Sequence, residues 1–177
     1  MQVLHRESSK VCCDIQVAIR DGSDLVVAAQ GAADGDGEVL FVDPVDLVVL
    51  ERDVQPSPHG TIISFDAKYL YVTNIAEGGA NAVMTYDMTT RAKVPGCEAV
   101  TTTQPTPHNP AVTLDGGRLF ITHSGAEANV TSVFDVDEAG CVVPGTEQLV
   151  TTGLNPFGIT VITNAADTGR SKGALGV

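Results

Sequence analysis

Gly60 to Asn74 reads GTIISFDAKYLYVTN, and this stretch decides the fold because the chain says it three times. Ile15 to Ala29 is IQVAIRDGSDLVVAA, and Asn109 to His123 is NPAVTLDGGRLFITH. Each copy is a run of apolar and β-branched residues, an Asp-centred tight turn, a second such run, and another Asp further on. Pro-His introduces two of them, at Pro58-His59 and Pro107-His108, while Pro156-Phe157-Gly158 opens a fourth, so the prolines recur every 49 residues. A period of this length marks blades or solenoid turns, units that cannot bury an apolar face alone.

Within each period the alternation of apolar and polar residues, broken by Asp, Gly, Asn and Pro, parses as four short strands. The second repeat predicts strands over 61–65, 69–73, 82–87 and 98–103. The first places its third and fourth strands at 39–43 and 47–52, and the third repeat places its own at 131–135 and 148–152. Asp66-Ala67-Lys68 and Asp115-Gly116-Gly117 suit the tight hairpin between first and second strands, where Asp bonds its own backbone and Gly accepts a positive φ. Four-stranded antiparallel units joined by a short Pro-containing link build a β-propeller. The expected fold is therefore all-β, a propeller segment over 1–162 with blades near 12–57, 58–106 and 107–154 and lone strands at 2–7 and 156–162. Residues 163–177, rich in Gly, Ala and Ser, read as a flexible tail. A propeller closes with roughly 4 to 8 blades, so this one is incomplete; either it is part of a longer propeller or several copies complete a ring as a homo-oligomer.

The wording LYVTN at Leu70 to Asn74, after Pro-His-Gly at Pro58 to Gly60 and before the Asp that ends the third strand, resembles the YVTN family of β-propeller repeats. PHNPAVTLDGGRLFITH, from Pro107 to His123, resembles it as well, and the likeness runs from about residue 12 to 162. The resemblance implies an architecture, and an extracytoplasmic or cell-surface setting, more than a chemistry. Its consequence for function is a non-enzymatic binding or scaffold module that holds a protein or small-molecule ligand on its top-face loops. Some lactonases share similar repeats, which makes a lactonase-like hydrolase an alternative, although none of their catalytic residues can be placed here.

A net charge of −12, from 22 acidic against 10 basic residues, repels phosphate backbones and anionic lipid heads, so nucleic acid is excluded as a partner. No apolar run approaches the roughly 20 residues of a membrane span. No serine sits in a nucleophile-elbow wording and no phosphate-cradling Gly loop is present. Cys12, Cys13, Cys97 and Cys141 fit no zinc spacing. Cys97 and Cys141 both fall between the third and fourth strands of their blades and would pair if those loops lean together. Asn129-Val130-Thr131 is a glycosylation sequon in an expected surface loop.

The histidines carry the sharpest chemical expectation. His59 and His108 precede first strands and His123 ends a second strand, which in a propeller sets all three at one mouth of the central channel. Imidazole suits copper or zinc, and Cys13, in the Cys12-Cys13-Asp14 stretch that takes the same topological place in the first blade, would add a soft ligand, although the residues matching the histidines in the other copies are Asp14 and Phe157. That set would make a copper-type redox enzyme, similar in arrangement to the histidine-rich sites of propeller enzymes such as nitrous oxide reductase. The competing reading has His59 and His108 bond the neighbouring blade's backbone and orient the link, with Cys12 and Cys13 as core thiols. In the loop Asp34-Gly35-Asp36-Gly37-Glu38, the carboxylates Asp34, Asp36 and Glu38 resemble part of a calcium loop but lack the later bidentate acid.

Overall fold

A computed structural model describes residues 15–20, 23–30, 36–75, 81–97 and 99–162. Every regular element among them is a β-strand. The first sheet runs β1 (Ile15–Ala18), β2 (Leu25–Ala29), β3 (Asp36–Val42) and β4 (Val49–Pro56), paired antiparallel in chain order. The second has β5 (Pro58–Ile63), β6 (Tyr69–Asn74) and β7 (Ala82–Asp87), with an outer strand in two pieces, β8 (Ala92–Lys93) and β9 (Val100–Thr101), both on β7. The third repeats the meander with β10 (Pro107–Val112), β11 (Arg118–His123), β12 (Val130–Asp135) and β13 (Gln148–Thr151). The first strands β1, β5 and β10 pack on one another, so each sheet is a blade with its first strand innermost. The described residues thus form three blades of an incomplete, all-β propeller.

Carboxylates shape the turns. Asp66 Oδ1 accepts from the Ser64 hydroxyl at 2.7 Å and the Lys68 N–H at 3.3 Å; Asp115 Oδ1 accepts from Thr113 at 2.7 Å and the Gly117 N–H at 2.9 Å. At the ends of third strands, Asp87 Oδ1 takes the N–H groups of Thr89 and Thr90, and Asp43 Oδ1 those of Val45 and Asp46 at 2.8 Å. Those two backbone donors hold the Asp43 carboxyl below the ordinary Asp value. The turn occupies 43–48, with Leu47 at φ 54°, so β4 starts at Val49 and not at 47 as its apolar run suggests. Each blade-to-blade link also holds a left-handed residue just before its proline, namely Ser57, Thr106 and Asn155 at φ 43°, 53° and 51°. The strand expected over 156–162 forms no ladder among the described residues, while the strand expected over 2–7 and the tail expected over 163–177 lie outside them.

Blades cohere by interleaving. Val26, Val39 and Phe41 of the first meet Ile63, Leu70, Val72, Met84 and Tyr86 of the second. Tyr71, Val83 and Val100 on the other side of the second meet Val112, Leu119, Ile121, Phe134 and Val142 of the third. Successive residues of β6 thus face different blades, which is why Leu70-Tyr71-Val72 is an unbroken apolar run. Tyr86 packs edge-on against Phe41 with ring centroids 6.0 Å apart and donates its hydroxyl to Asp53 at 2.7 Å. Burial, reinforced by that carboxylate, raises its phenol pKa far above the ordinary tyrosine value.

Candidate functional site

His59 and His108 open β5 and β10 at equivalent positions of successive blades, and both are buried. Their rings meet edge to face, centroids 4.1 Å apart, with Nε2 to Nε2 at 2.7 Å. One ring donates its N–H to the lone pair of the other. Phe157, the residue that takes the histidine's place in the next repeat, stacks its ring 4.0 Å from that of His108. A threonine fixes each junction: Thr73 Oγ1 receives the Gly60 N–H at 2.8 Å and donates to the His108 carbonyl at 2.6 Å. Thr122 repeats this, receiving the Asn109 N–H at 3.1 Å and donating to the Phe157 carbonyl at 3.1 Å. The first blade ends its second strand in Ala28-Ala29 and has no hydroxyl for this clasp. Replacing Thr73 by valine keeps the shape but strands a buried N–H, and should cost about 2 kcal/mol in urea unfolding. A midpoint unchanged from the parent would refute the clasp.

His123 turns away from this pair. Leu119, Ile121 and His123 lie on one side of β11, the side facing the second blade. Nδ1 of His123 meets the Pro105 carbonyl at 2.8 Å and Nε2 meets the Ser132 hydroxyl at 2.7 Å. Ser132 donates onward to Glu147 Oε1 at 2.6 Å, and Glu147 Oε2 accepts the Thr103 N–H at 2.9 Å. Burial lowers the His123 pKa, while the Pro105 carbonyl and the Glu147 carboxylate push it the other way. A serine, a histidine and an acid are therefore assembled, but with serine in the middle and 0% exposed, which is not the order or the access that nucleophilic attack requires. A repeat comparison carries the signal for this cluster. Counting back from the Asp that ends each third strand, Ser132 replaces the core Met84.

The structure thus brings together two of the three expected imidazoles. Both nitrogens of His123 are engaged elsewhere, and among the described residues no group of three or more His, Cys, Asp or Glu is placed to hold a metal ion. Two imidazoles on one tetrahedral ion, with bonds of roughly 2.0–2.1 Å, stand about 3.3 Å apart. His59 and His108 would have to part to admit one. Cys12, Cys13 and Asp34 lie outside the described residues, as does the side chain of Asp36. Glu38 pairs with Arg52 across the sheet at 3.4 Å. At the opposite end of the blades, Cys97 and Cys141 form a disulfide with Cα atoms 5.2 Å apart, joining the second blade to the third.

With this geometry in hand, the likeness to solved structures is one of fold. Hydrazine synthase of Kuenenia stuttgartiensis superposes with a TM-score of 0.57 at 24% identity, over 77% of this chain and 37% of that one. A candidate 6-phosphogluconolactonase from Bacteroides fragilis NCTC 9343 gives 0.59 at 18% identity, over 77% and 38%. A functionally unknown protein from Desulfotomaculum acetoxidans DSM 771 gives 0.56 at 14%, over 82% and 44%. The chain spans less than half the length of each. No protein-family model and no curated protein matches the sequence. No helix of the described residues is long and apolar enough to cross a membrane.

Proposed function

We propose that this chain is a YVTN-type β-propeller segment that serves as a binding or scaffold module and presents its top-face loops to a protein or small-molecule partner. One observation carries the reading: the chemically capable side chains at the top junction are spent on holding blades together. His59 and His108 bond each other, His123 bonds Pro105 and Ser132, and Thr73 and Thr122 bridge to the next blade. A catalytic centre keeps such groups turned toward a space that substrate can enter. The blades fall at 12–57, 58–106 and 107–154, and further blades complete the ring. Val17 and Ile19 on the leading side, and Val150, Phe157 and Ile162 on the trailing side, are the exposed apolar residues such blades would cover. The Cys97–Cys141 bridge favours an oxidising, extracytoplasmic setting.

The rival copper reading keeps His59 and His108, with Cys13, outside the described residues, as its soft ligand, in a site that opens on binding. Native mass spectrometry separates the readings. After incubation with copper and desalting, the chain should keep no stoichiometric metal. One retained ion per chain, abolished by His108→Ala with the fold intact by circular dichroism, would overturn the module reading in favour of redox chemistry. Turnover of a sugar-acid lactone would overturn it in favour of a hydrolase. The same spectrum assigns ring completion: a discrete multimer to other copies, a monomer to blades elsewhere in a longer polypeptide.

A further inference from the structure

The polar cluster between the second and third blades can be solved for its hydrogens. The Pro105 carbonyl only accepts, so His123 Nδ1, 2.8 Å away, carries a hydrogen. The Ser132 hydroxyl has one hydrogen but two short contacts, 2.7 Å to His123 Nε2 and 2.6 Å to Glu147 Oε1. Its own hydrogen fills one contact. The other is filled by a hydrogen from the partner, either the Nε2–H of an imidazolium or the O–H of a neutral carboxyl. Both arrangements contain the same single dissociable proton and leave the histidine and glutamate with no net charge between them. Without it, two lone pairs face each other at hydrogen-bond distance inside the blade interface.

We propose that His123, Ser132 and Glu147 form a one-proton latch that binds the third blade to the second and makes their cohesion depend on pH. Its grips lie on the second blade's exit: Glu147 holds the Thr103 N–H and His123 holds the Pro105 carbonyl. The elements packed around the imidazole are β11, β12, the link over 102–106 and the turn before β13. Among the described residues, Glu147 is the titratable group on them that acts on the ring. Burial of the imidazole opposes its charge, and against it stand the Pro105 carbonyl, the Glu147 carboxylate and the two short serine contacts that need the proton. The proton belongs to the unit and not to either residue.

The sign follows from proton counting. Unfolded His and Glu side chains, with pKa values of about 6.5 and 4.3, have released this proton by mildly alkaline pH. The folded latch then holds one proton more than the unfolded chain, so stability falls as pH rises through the latch's own titration. Glu147→Gln supplies the missing hydrogen permanently, because the amide N–H donates to Ser132 and frees the serine to donate to a neutral His123. Melting temperatures of the full chain and of Glu147→Gln, read from pH 5 to 9, should therefore diverge, with the variant gaining on the parent by about 3 °C or more as pH rises. In a Ser132→Ala background the same Glu147→Gln step should show no pH trend. A parent–variant difference that stays constant across the range, or one that keeps its trend without Ser132, would overturn the latch. Nitrogen shifts of His123 give a readout that a purely structural contact would not move: they should follow the latch titration in the parent and not in Glu147→Gln.

Discussion

Gly60→Ala is expected to destabilise the chain by on the order of 4 kcal/mol and to separate the second blade from the third. A Cβ on residue 60 would stand 1.9 Å from the His108 carbonyl oxygen, 2.6 Å from the Pro110 ring and 3.0 Å from the Asn109 Cα, where 3.4 Å is ordinary contact. None of these is the far end of a flexible side chain, so no rotamer change relieves the overlap. The relief available is to move the start of β10 outward, and this is where His108 meets His59 and where the Thr73 hydroxyl holds the His108 carbonyl. Overpacking alone costs about 1–3 kcal/mol, and each of the two bonds adds about 1. Against a typical stability of about 5–15 kcal/mol the variant should unfold at markedly lower urea and lose native tertiary signal. Gly153→Ala is the control, since a Cβ there meets nothing within 4 Å. Equal urea midpoints for the two variants would show that the blades are not held this closely.

The same glycine shows how far the sequence could be read. Its place in Pro-His-Gly belongs to the repeat wording, and the 49-residue spacing of that wording was enough to infer blades, their four strands and the Asp turns. Repeat spacing works here because each blade must present the same face to its neighbour. It also predicted that His59 and His108 lie at one junction, since equivalent positions of adjacent blades face the same axis. His123 was the harder residue, placed at the channel mouth by its height on the strand. Its direction is a matter of parity: Leu119 and Ile121 point into the interface with the second blade, so a residue two further on points there too. The outer strand of the second blade was least legible. Its expected run over 98–103 shrank to β9, and β8 paired ahead of it, because the intervening segment leaves the ladder to reach the third blade through Cys97.

That covalent link carries the second large effect. Cys97→Ser should lower stability by about 2–4 kcal/mol, as should reduction of the parent chain, and reductant should then have no further effect on the variant. The bridge spans 44 residues, for which the loop-closure argument gives about 4 kcal/mol when the unfolded chain is the state it restrains. Part of that sum is offset because the turn bearing Cys141 is already seated without it. Tyr71 donates its hydroxyl to the Gly140 carbonyl at 3.2 Å, and Asp137 Oδ1 takes the N–H groups of Ala139 and Cys141 at 2.9 and 2.8 Å. Gly140, at φ 80°, lies so near the Tyr69 ring that a Cβ would be 2.6 Å from it. The turn is therefore held on the second blade's tyrosines, and the disulfide restrains chiefly the excursion from the outer strand that carries Cys97. Loss of the bridge should accordingly reduce stability while leaving the buried core and its near-ultraviolet tyrosine signal in place. Thermal unfolding with and without reductant, with alkylation of Cys97 and Cys141 followed by mass, decides it. If both thiols alkylate fully under reduction and the melting temperature does not move, the bridge contributes nothing to cohesion and the oxidising setting loses its physical support.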